Sequence, residues 1–253
     1  MLQAVKKNNA KLMFFATPNN PTGNALTEQQ IIHLCSQNPD CVVALDEAYI
    51  EFSDAPVVTS IPLIEKFPNL VIFRTFSKYS ALAGLRVGFA VAHPELAGVF
   101  MALKQPYNMS SVADAAARAC IKHMDKLLTQ IDLIKYVNLY SLLYLLTIGN
   151  RTEKANIVAL LSKYTWLKPV PSETNFMLVE VINRPAWLIK ASLRRRGVLV
   201  RHFDHSRLSK YIRISVGRPA DTVLLKQGLD ELDAAQDDFA TYKPDGLLFD
   251  MDG

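Results

Sequence analysis

Lys78 stands in the run Arg74-Thr75-Phe76-Ser77-Lys78-Tyr79, just past a β-branched and aromatic stretch, Val71 to Phe76. Hydroxyls sit at Thr75 and Ser77, and Arg86 follows. An amine in this setting suits imine formation with an aldehyde cofactor. The chemistry needs a loop fixed by a strand, hydroxyls to hold a phosphate, and a cation nearby.

Three more polar groups share that arrangement. Thr17-Pro18-Asn19-Asn20-Pro21-Thr22-Gly23 follows one apolar run, Asp46-Glu47-Ala48-Tyr49 follows a second, and Arg86 opens a fourth. In open α/β sheets ligands bind in the crevice outside the carboxyl ends of the strands. Arg86 falls at a strand start, which fits an antiparallel last strand. Pyridoxal phosphate chemistry gives each group a task. Asp46 is the candidate carboxylate that keeps a proton on the ring nitrogen. Asn20 and Tyr49 can donate to the ring oxygen and so lower the imine pKa. Lys78 forms the imine, is displaced by the amino substrate, and then carries a proton between Cα and C4′. Arg86, Thr75 and Ser77 would clamp the phosphate by charge-assisted hydrogen bonds.

Each piece alone has a plainer reading. Asn-Pro-Thr-Gly is most often a turn, and a lysine after a strand is usually solvated. An apolar strand ending in Asp46-Glu47 also fits a nucleotidase's magnesium strand, but the required Gly-x-x-x-x-Gly-Lys-Ser/Thr loop is missing from the sequence. Four motifs in order, each at a strand end, point to one site.

The elements that must carry them read as an α/β protein. Strands are expected over Lys11–Ala16, Cys41–Leu45, Leu70–Thr75 and Arg86–Ala92, each a continuous apolar run of the kind buried on both faces. Leu26 to Ser36 reads as a helix, with Thr27 as N-cap and Gln30 completing a capping box. Strand, helix and strand together predict a parallel, right-handed crossover. From Ser110 the chain reads helical, through Ala113–Ile121, Asp132–Leu146 and Thr152–Tyr164. A smaller α/β region follows. Its strands are expected at Thr174–Val181, Val198–Arg201 and Tyr211–Val216, its helices at Pro185–Arg196, ended by Gly197, and Asp221–Ala235.

Composition narrows the class. The chain has 253 residues, 50% of them hydrophobic and 21% charged, which is a globular balance. A net charge of +4 argues against a dedicated nucleic-acid binder, and Arg194-Arg195-Arg196 reads as a solvated helix face. Cys35, Cys41 and Cys120 include no Cys-x-x-Cys pair, so reduced thiols in a cytoplasmic protein are expected. No signal pattern opens the chain, and the most apolar stretch, Leu139–Ile148, is too short to span a bilayer. Asn108-Met-Ser and Asn150-Arg-Thr match the glycosylation rule by chance on this reading.

Taken together, Asn20-Pro-Thr-Gly, Asp46-Glu-Ala-Tyr49, Ser77-Lys78 and Arg86 resemble the fold-type-I pyridoxal-phosphate aminotransferases. The longer wording, Asp46-Glu-Ala-Tyr-Ile-Glu-Phe52 and Arg74 through Arg86, looks like the histidinol-phosphate aminotransferase subfamily. The likeness runs from Lys11 to Leu232 and includes Ser172-Glu-Thr-Asn-Phe176 and Tyr211 to Gly217. It implies a mostly parallel sheet with flanking helices and a smaller C-terminal α/β domain. The expected boundaries are 1–130 for the large domain, 131–240 for the small one with its linking helix, and 241–253 for a linker.

The resemblance implies Lys78 as the Schiff-base residue, Asp46 at the ring nitrogen, and Asn20 and Tyr49 at the ring oxygen. Thr75, Ser77 and Arg86 take the cofactor phosphate. Arg213 grips the anionic end of the substrate and Arg201 the substrate's phosphate; the plain alternative is surface or ion-paired arginine. The reaction implied moves an amino group from histidinol phosphate, a small-molecule donor, to the 2-oxo acid 2-oxoglutarate. No membrane and no nucleic acid are involved, and a homodimer is expected. Alternatives are a related aminotransferase, a threonine-phosphate decarboxylase, or an inactive fragment serving as a folding or interface module. Family members carry a long segment upstream of the first strand, with part of the phosphate cradle and an aromatic for the ring, so a truncated product is expected here. The tail Leu247-Leu-Phe-Asp250-Met-Asp252-Gly253 resembles the opening motif of haloacid-dehalogenase-type phosphatases. It reads as the junction to a fused second enzyme or as a chance acidic tail.

Overall fold

Three apolar strands lie side by side with their chains parallel. In the computed structural model, which describes residues 5, 7–53, 58–135 and 153–235, they are β1 (Leu12–Ala16), β2 (Val42–Asp46) and β3 (Leu70–Thr75). A fourth, β4 (Gly88–Ala92), closes the sheet in the order β1-β2-β3-β4 and runs antiparallel. Between β1 and β2 runs α1 (Glu28–Ser36), whose N-terminus carries the expected box: Thr27 Oγ1 accepts from Gln30 N at 3.2 Å and Gln30 Oε1 accepts from Thr27 N at 2.9 Å. The parallel crossover and the antiparallel last strand both follow the sequence.

Successive side chains of a strand point to opposite faces of its sheet. Met13, Val43, Leu45, Leu70 and Ile72 point to one face and pack with Ile31, Leu34 and Cys35 of α1. Leu45, Leu70 and Ile72 are wholly buried; each contributes about 1.5–3 kcal/mol of apolar burial. Leu12, Phe14, Val42, Ala44, Val71 and Phe73 point to the other. They floor a groove of about 310 Å³ whose rim includes Leu96 and Phe100 of α2 (Pro94–Leu103). Leu12 and Phe14 are each 59% exposed on that face.

Three helices follow: α3 (Ser111–Lys122), α4 (Met124–Lys135) and α5 (Glu153–Leu161). Ser110 caps α3, its Oγ accepting from Ala113 N at 3.2 Å. Of the helix expected over 132–146, residues 132–135 form the end of α4; the remainder lies outside the described residues, as do the chain's 241–253 segment and Asn150. The second sheet has the order β5-β6-β8-β7 and is antiparallel throughout. Its strands are β5 (Leu167–Pro169), β6 (Phe176–Val181), β7 (Arg201–His202) and β8 (Tyr211–Ser215). With α5, α6 (Ala186–Arg195) and α7 (Pro219–Ala234) it forms a core around Ile157, Leu161, Val179, Ile189, Ile212 and Leu229.

Two strand expectations are corrected. The strand expected from Arg86 begins at Gly88, because Arg86 is in the left-handed region (φ 54°) and closes a short 3-10 turn, Ala83–Leu85. The strand expected over 198–201 survives only as Arg201–His202. Gly197 at φ 78° turns the chain and Val198 N donates back to Leu193 O at 3.0 Å, so Val198 caps α6, and the ladder with β8 begins only at Arg201. Neither β5 nor α2 was legible: β5 is three residues ending in proline, and α2 buries none of its residues.

The two sheets meet at Gly23. Its carbonyl accepts from Glu173 N at 2.7 Å, and Ser53 Oγ donates to Glu173 O at 3.0 Å. Gly23 sits at φ 78°, and a Cβ there would come within 2.9 Å of Ser172 Cα. Gly23→Ala therefore meets both a conformational penalty and a backbone clash. It is expected to lower stability by about 2 kcal/mol or more, read as a fall in the urea midpoint at unchanged slope.

Candidate active site

Sheet alternation separates Asp46, the last residue of β2, from Glu47 just beyond it. Asp46 is in register with Ala16 on one side and Phe73 on the other. It therefore shares the open face with Ala44 and Phe73, whereas Glu47 turns into the covered side and is 1% exposed. Thr75 ends β3 on the same open face, opposite Gly88. Asp46 Oδ1 accepts from Ala48 N at 3.0 Å, which turns the chain toward Tyr49. Its other oxygen has no partner among the described residues.

Around that edge the chain brings together side chains from four segments. Asn20 Nδ2 donates toward Tyr49 Oη at 3.4 Å. Asn20 Oδ1 accepts from Arg213 Nη1 at 2.7 Å. Lys78 Nζ lies 5.5 Å from the centre of the Tyr49 ring. Phe176 joins the set: its ring meets Tyr49 edge-on at 5.2 Å and carries the Arg213 guanidinium at 4.7 Å. Tyr49 and Phe176 are buried, while Lys78 and Asn20 are exposed. Arg213 Nε is buried and has no partner among the described residues.

The Lys78 loop is built locally. Thr75 Oγ1 accepts from Ser77 N at 3.0 Å, a hydroxyl turn that bends the chain off β3. Ser80 Oγ donates to Phe76 O at 2.6 Å on the far side of the lysine. Phe76 and Tyr79, 5.8 Å apart, bury the loop's apolar side against Val87, Ala113 and Ala117. The amine of Lys78 is left on the exposed side. Arg86 is exposed and donates to Ala83 O at 3.0 Å, and no hydrogen bond joins its side chain to Thr75 or Ser77.

Arg201 stands directly opposite Arg213 in the β7–β8 pairing. Directly opposed residues share a face, with Cβ atoms about 4.5–5.5 Å apart. Two like charges so placed repel, and an anion between them removes the repulsion. Sequence reasoning set these arginines on neighbouring strands; the register brings them face to face. It assigned Phe176 no role, because nothing in the spacing of Asn20, Tyr49 and Phe176 along the chain tells that they meet.

This constellation can hold an aromatic anionic ligand. It offers a carboxylate with a free oxygen, a nearby amine, donors at Asn20 and Tyr49, and an arginine with an orphaned buried N–H. The profile of the family described as aminotransferase class I and II matches residues 1–224. The chain belongs to that family. Among the chain's relatives, a histidinol-phosphate aminotransferase of Dehalococcoides mccartyi is 37% identical over 222 residues, 88% of this chain and 56% of that protein. Histidinol-phosphate aminotransferase 1 of Mannheimia succiniciproducens is 39% identical over 221 residues, 87% of this chain and 56% of that protein. The chain thus spans about half the length of the curated relatives it matches. A crystal structure of histidinol-phosphate aminotransferase from Sinorhizobium meliloti with pyridoxal-5'-phosphate superposes with TM-score 0.73 at 28% identity, covering 93% of this chain and 60% of that one. The family and the α/β fold class expected from the motifs are both borne out. No helix among the described residues is long and apolar enough to cross a membrane.

The opposed arginines make a physical prediction. Arg201→Thr removes a like-charge pair worth about 0.2–1 kcal/mol. The variant is expected to be more stable than the parent by about that amount at low salt, with the gain gone near 1 M salt, where the Debye length is about 3 Å. Urea unfolding at both salts measures it.

Proposed function

We propose that the chain carries the site of a pyridoxal-phosphate-dependent amino-group transfer between L-histidinol phosphate and 2-oxoglutarate. The observation that carries this reading is the meeting of Asn20, Tyr49, Lys78 and Arg213 at one sheet edge, in a chain of an aminotransferase family. The relatives' names supply the substrate.

The residues fit the cofactor. Bound there, pyridoxal phosphate supplies an electron sink for charge that develops at the substrate's Cα. Asp46 holds a proton at the ring nitrogen through its negative charge. Asn20 Nδ2 and Tyr49 Oη donate to the ring oxygen, and the edge-on packing of Tyr49 on Phe176 fixes the phenol's direction. Lys78 Nζ would be the covalent anchor until the substrate's amino group displaces it, and the freed amine would then take the proton from Cα and return it. Thr75 and Ser77 hold the cofactor phosphate, joined by Arg86 once its guanidinium leaves the Ala83 carbonyl. Arg213 would bind the anionic end of either substrate, and Arg201 would join it at the phosphate of histidinol phosphate, which resolves the repulsion between them. On the same reading residues 1–130 are the large domain and 131–240 the small one. The segment 241–253 is a linker into a phosphatase-like unit, and the working protein is a cytoplasmic homodimer.

Incubation with pyridoxal phosphate followed by borohydride reduction and peptide mass spectrometry is expected to find the adduct on Lys78 and none in Lys78→Ala. An adduct elsewhere, or none in the parent, overturns the reading. With 2-oxoglutarate as acceptor, histidinol phosphate is expected to be used and threonine phosphate not. Arg201→Thr should raise KM for histidinol phosphate about 10–100-fold, the equivalent of losing one charge-assisted contact of about 1.5–3 kcal/mol.

A further inference from the structure

Behind the Lys78 loop, on the covered side of the sheet, one guanidinium joins two carboxylates. Arg74 Nη1 lies 3.4 Å from Glu47 Oε2 and 3.3 Å from Thr59 Oγ1, and Nη2 pairs with Glu51 Oε1. The side chains of Arg74, Glu47 and Glu51 are 14%, 1% and 8% exposed. Glu47 also accepts from Thr59 Oγ1 at 2.6 Å and from Ser60 N at 2.7 Å. Burial raises the Glu51 carboxyl above its ordinary range, and Arg74 offsets only part of that rise. Tyr79, beside Lys78, is buried next to this cluster, and its phenol is pushed up to about 12 by burial and then by Glu51.

Every member is chained to a site residue. Arg74 precedes Thr75 and lies on the strand that leads into Ser77 and Lys78. Glu47 follows Asp46. Glu51 lies just beyond Tyr49, in the 3-10 turn Ile50–Phe52. A buried ion pair gains little net stability over apolar packing. What a planar guanidinium does provide is direction, because its fork fixes two carboxylates at set angles, which an ammonium cannot do.

We propose that Arg74 is a positioning residue, clamping the Asp46–Glu51 turn to the Thr75–Tyr79 loop and so fixing where the Asp46 carboxylate and Tyr49 phenol stand relative to the Lys78 amine. The effect on cofactor rests on the pyridoxal phosphate reading; the clamp itself does not. Two turn bonds report the clamp without any cofactor, Ala48 N to Asp46 and Ser77 N to Thr75.

Hydrogen exchange of the cofactor-free protein tests it, comparing the parent with Arg74→Lys and with Thr59→Val, which removes the hydroxyl that donates to Glu47 and accepts from Arg74 but removes no charge. In Arg74→Lys the amides of Ala48 and Ser77 are expected to exchange together at least tenfold faster, while those of Val43 and Leu45 keep their parental rate. Thr59→Val should show a smaller effect at the same two amides. Titration with pyridoxal phosphate should give an affinity at least tenfold weaker for Arg74→Lys at unchanged melting temperature. Unchanged exchange at Ala48 and Ser77, or loss of protection spread evenly through β2, overturns the clamp. Parental affinity in a variant whose two turns have loosened overturns its link to the site. A parent that takes up no pyridoxal phosphate, with the two turns still loosening together in Arg74→Lys, sinks the function reading and leaves the clamp standing.

Discussion

The period of two along a strand governs this molecule. It sends Asp46 to one side of the first sheet and Glu47 to the other, Thr75 to one side and Arg74 to the other. Adjacent residues thereby acquire opposite jobs. Those on the open side stay polar and available at the strand ends, above an apolar floor. Those on the covered side pair with one another in a largely desolvated cluster. A one-residue slip in β2 or β3 would exchange the two sets and abolish site and support at once. The apolar contacts of Leu45, Leu70 and Ile72 with α1 are what forbid that slip.

The second sheet reaches the site by two routes. Gly23 gives a backbone connection to Glu173, close enough that no side chain fits between. Arg213 gives a polar one, through Asn20. Phe176 reinforces the second route, since it starts β6, its ring stands at right angles to that of Tyr49, and the Arg213 guanidinium lies over it. The aromatic ring thus transmits the position of the antiparallel sheet to the parallel one.

Much of this could be read from the residues in order. Continuous apolar runs gave β1 to β3 within a residue or so, and Thr27 with Gln30 gave the start of α1. The polar groups at strand ends gave Asn20, Asp46, Tyr49 and Lys78 as a set. What escaped was set by tertiary geometry. Arg86 looks like the first residue of a strand, yet its left-handed backbone makes it the end of a turn. Val198 looks like the start of a strand, but after the turn at Gly197 its N–H closes α6 instead, and Leu199 and Val200 stay outside the β7–β8 ladder. Arg74, Glu47 and Glu51 carry no mutual spacing that marks a clamp, and Phe176 meets Tyr49 only because two sheets pack.

The open side of the first sheet has a bearing on handling. Parallel sheets are normally covered on both faces, and here Leu12, Phe14 and the exposed apolar residues of α2, Met101 and Leu103, face outward. A net charge of +4 spread over the surface is a weak guard against adhesion between such patches. The colloidal behaviour of this polypeptide at high concentration is therefore governed by what shields that greasy floor, and detergent or a covering partner will matter more to it than ionic strength.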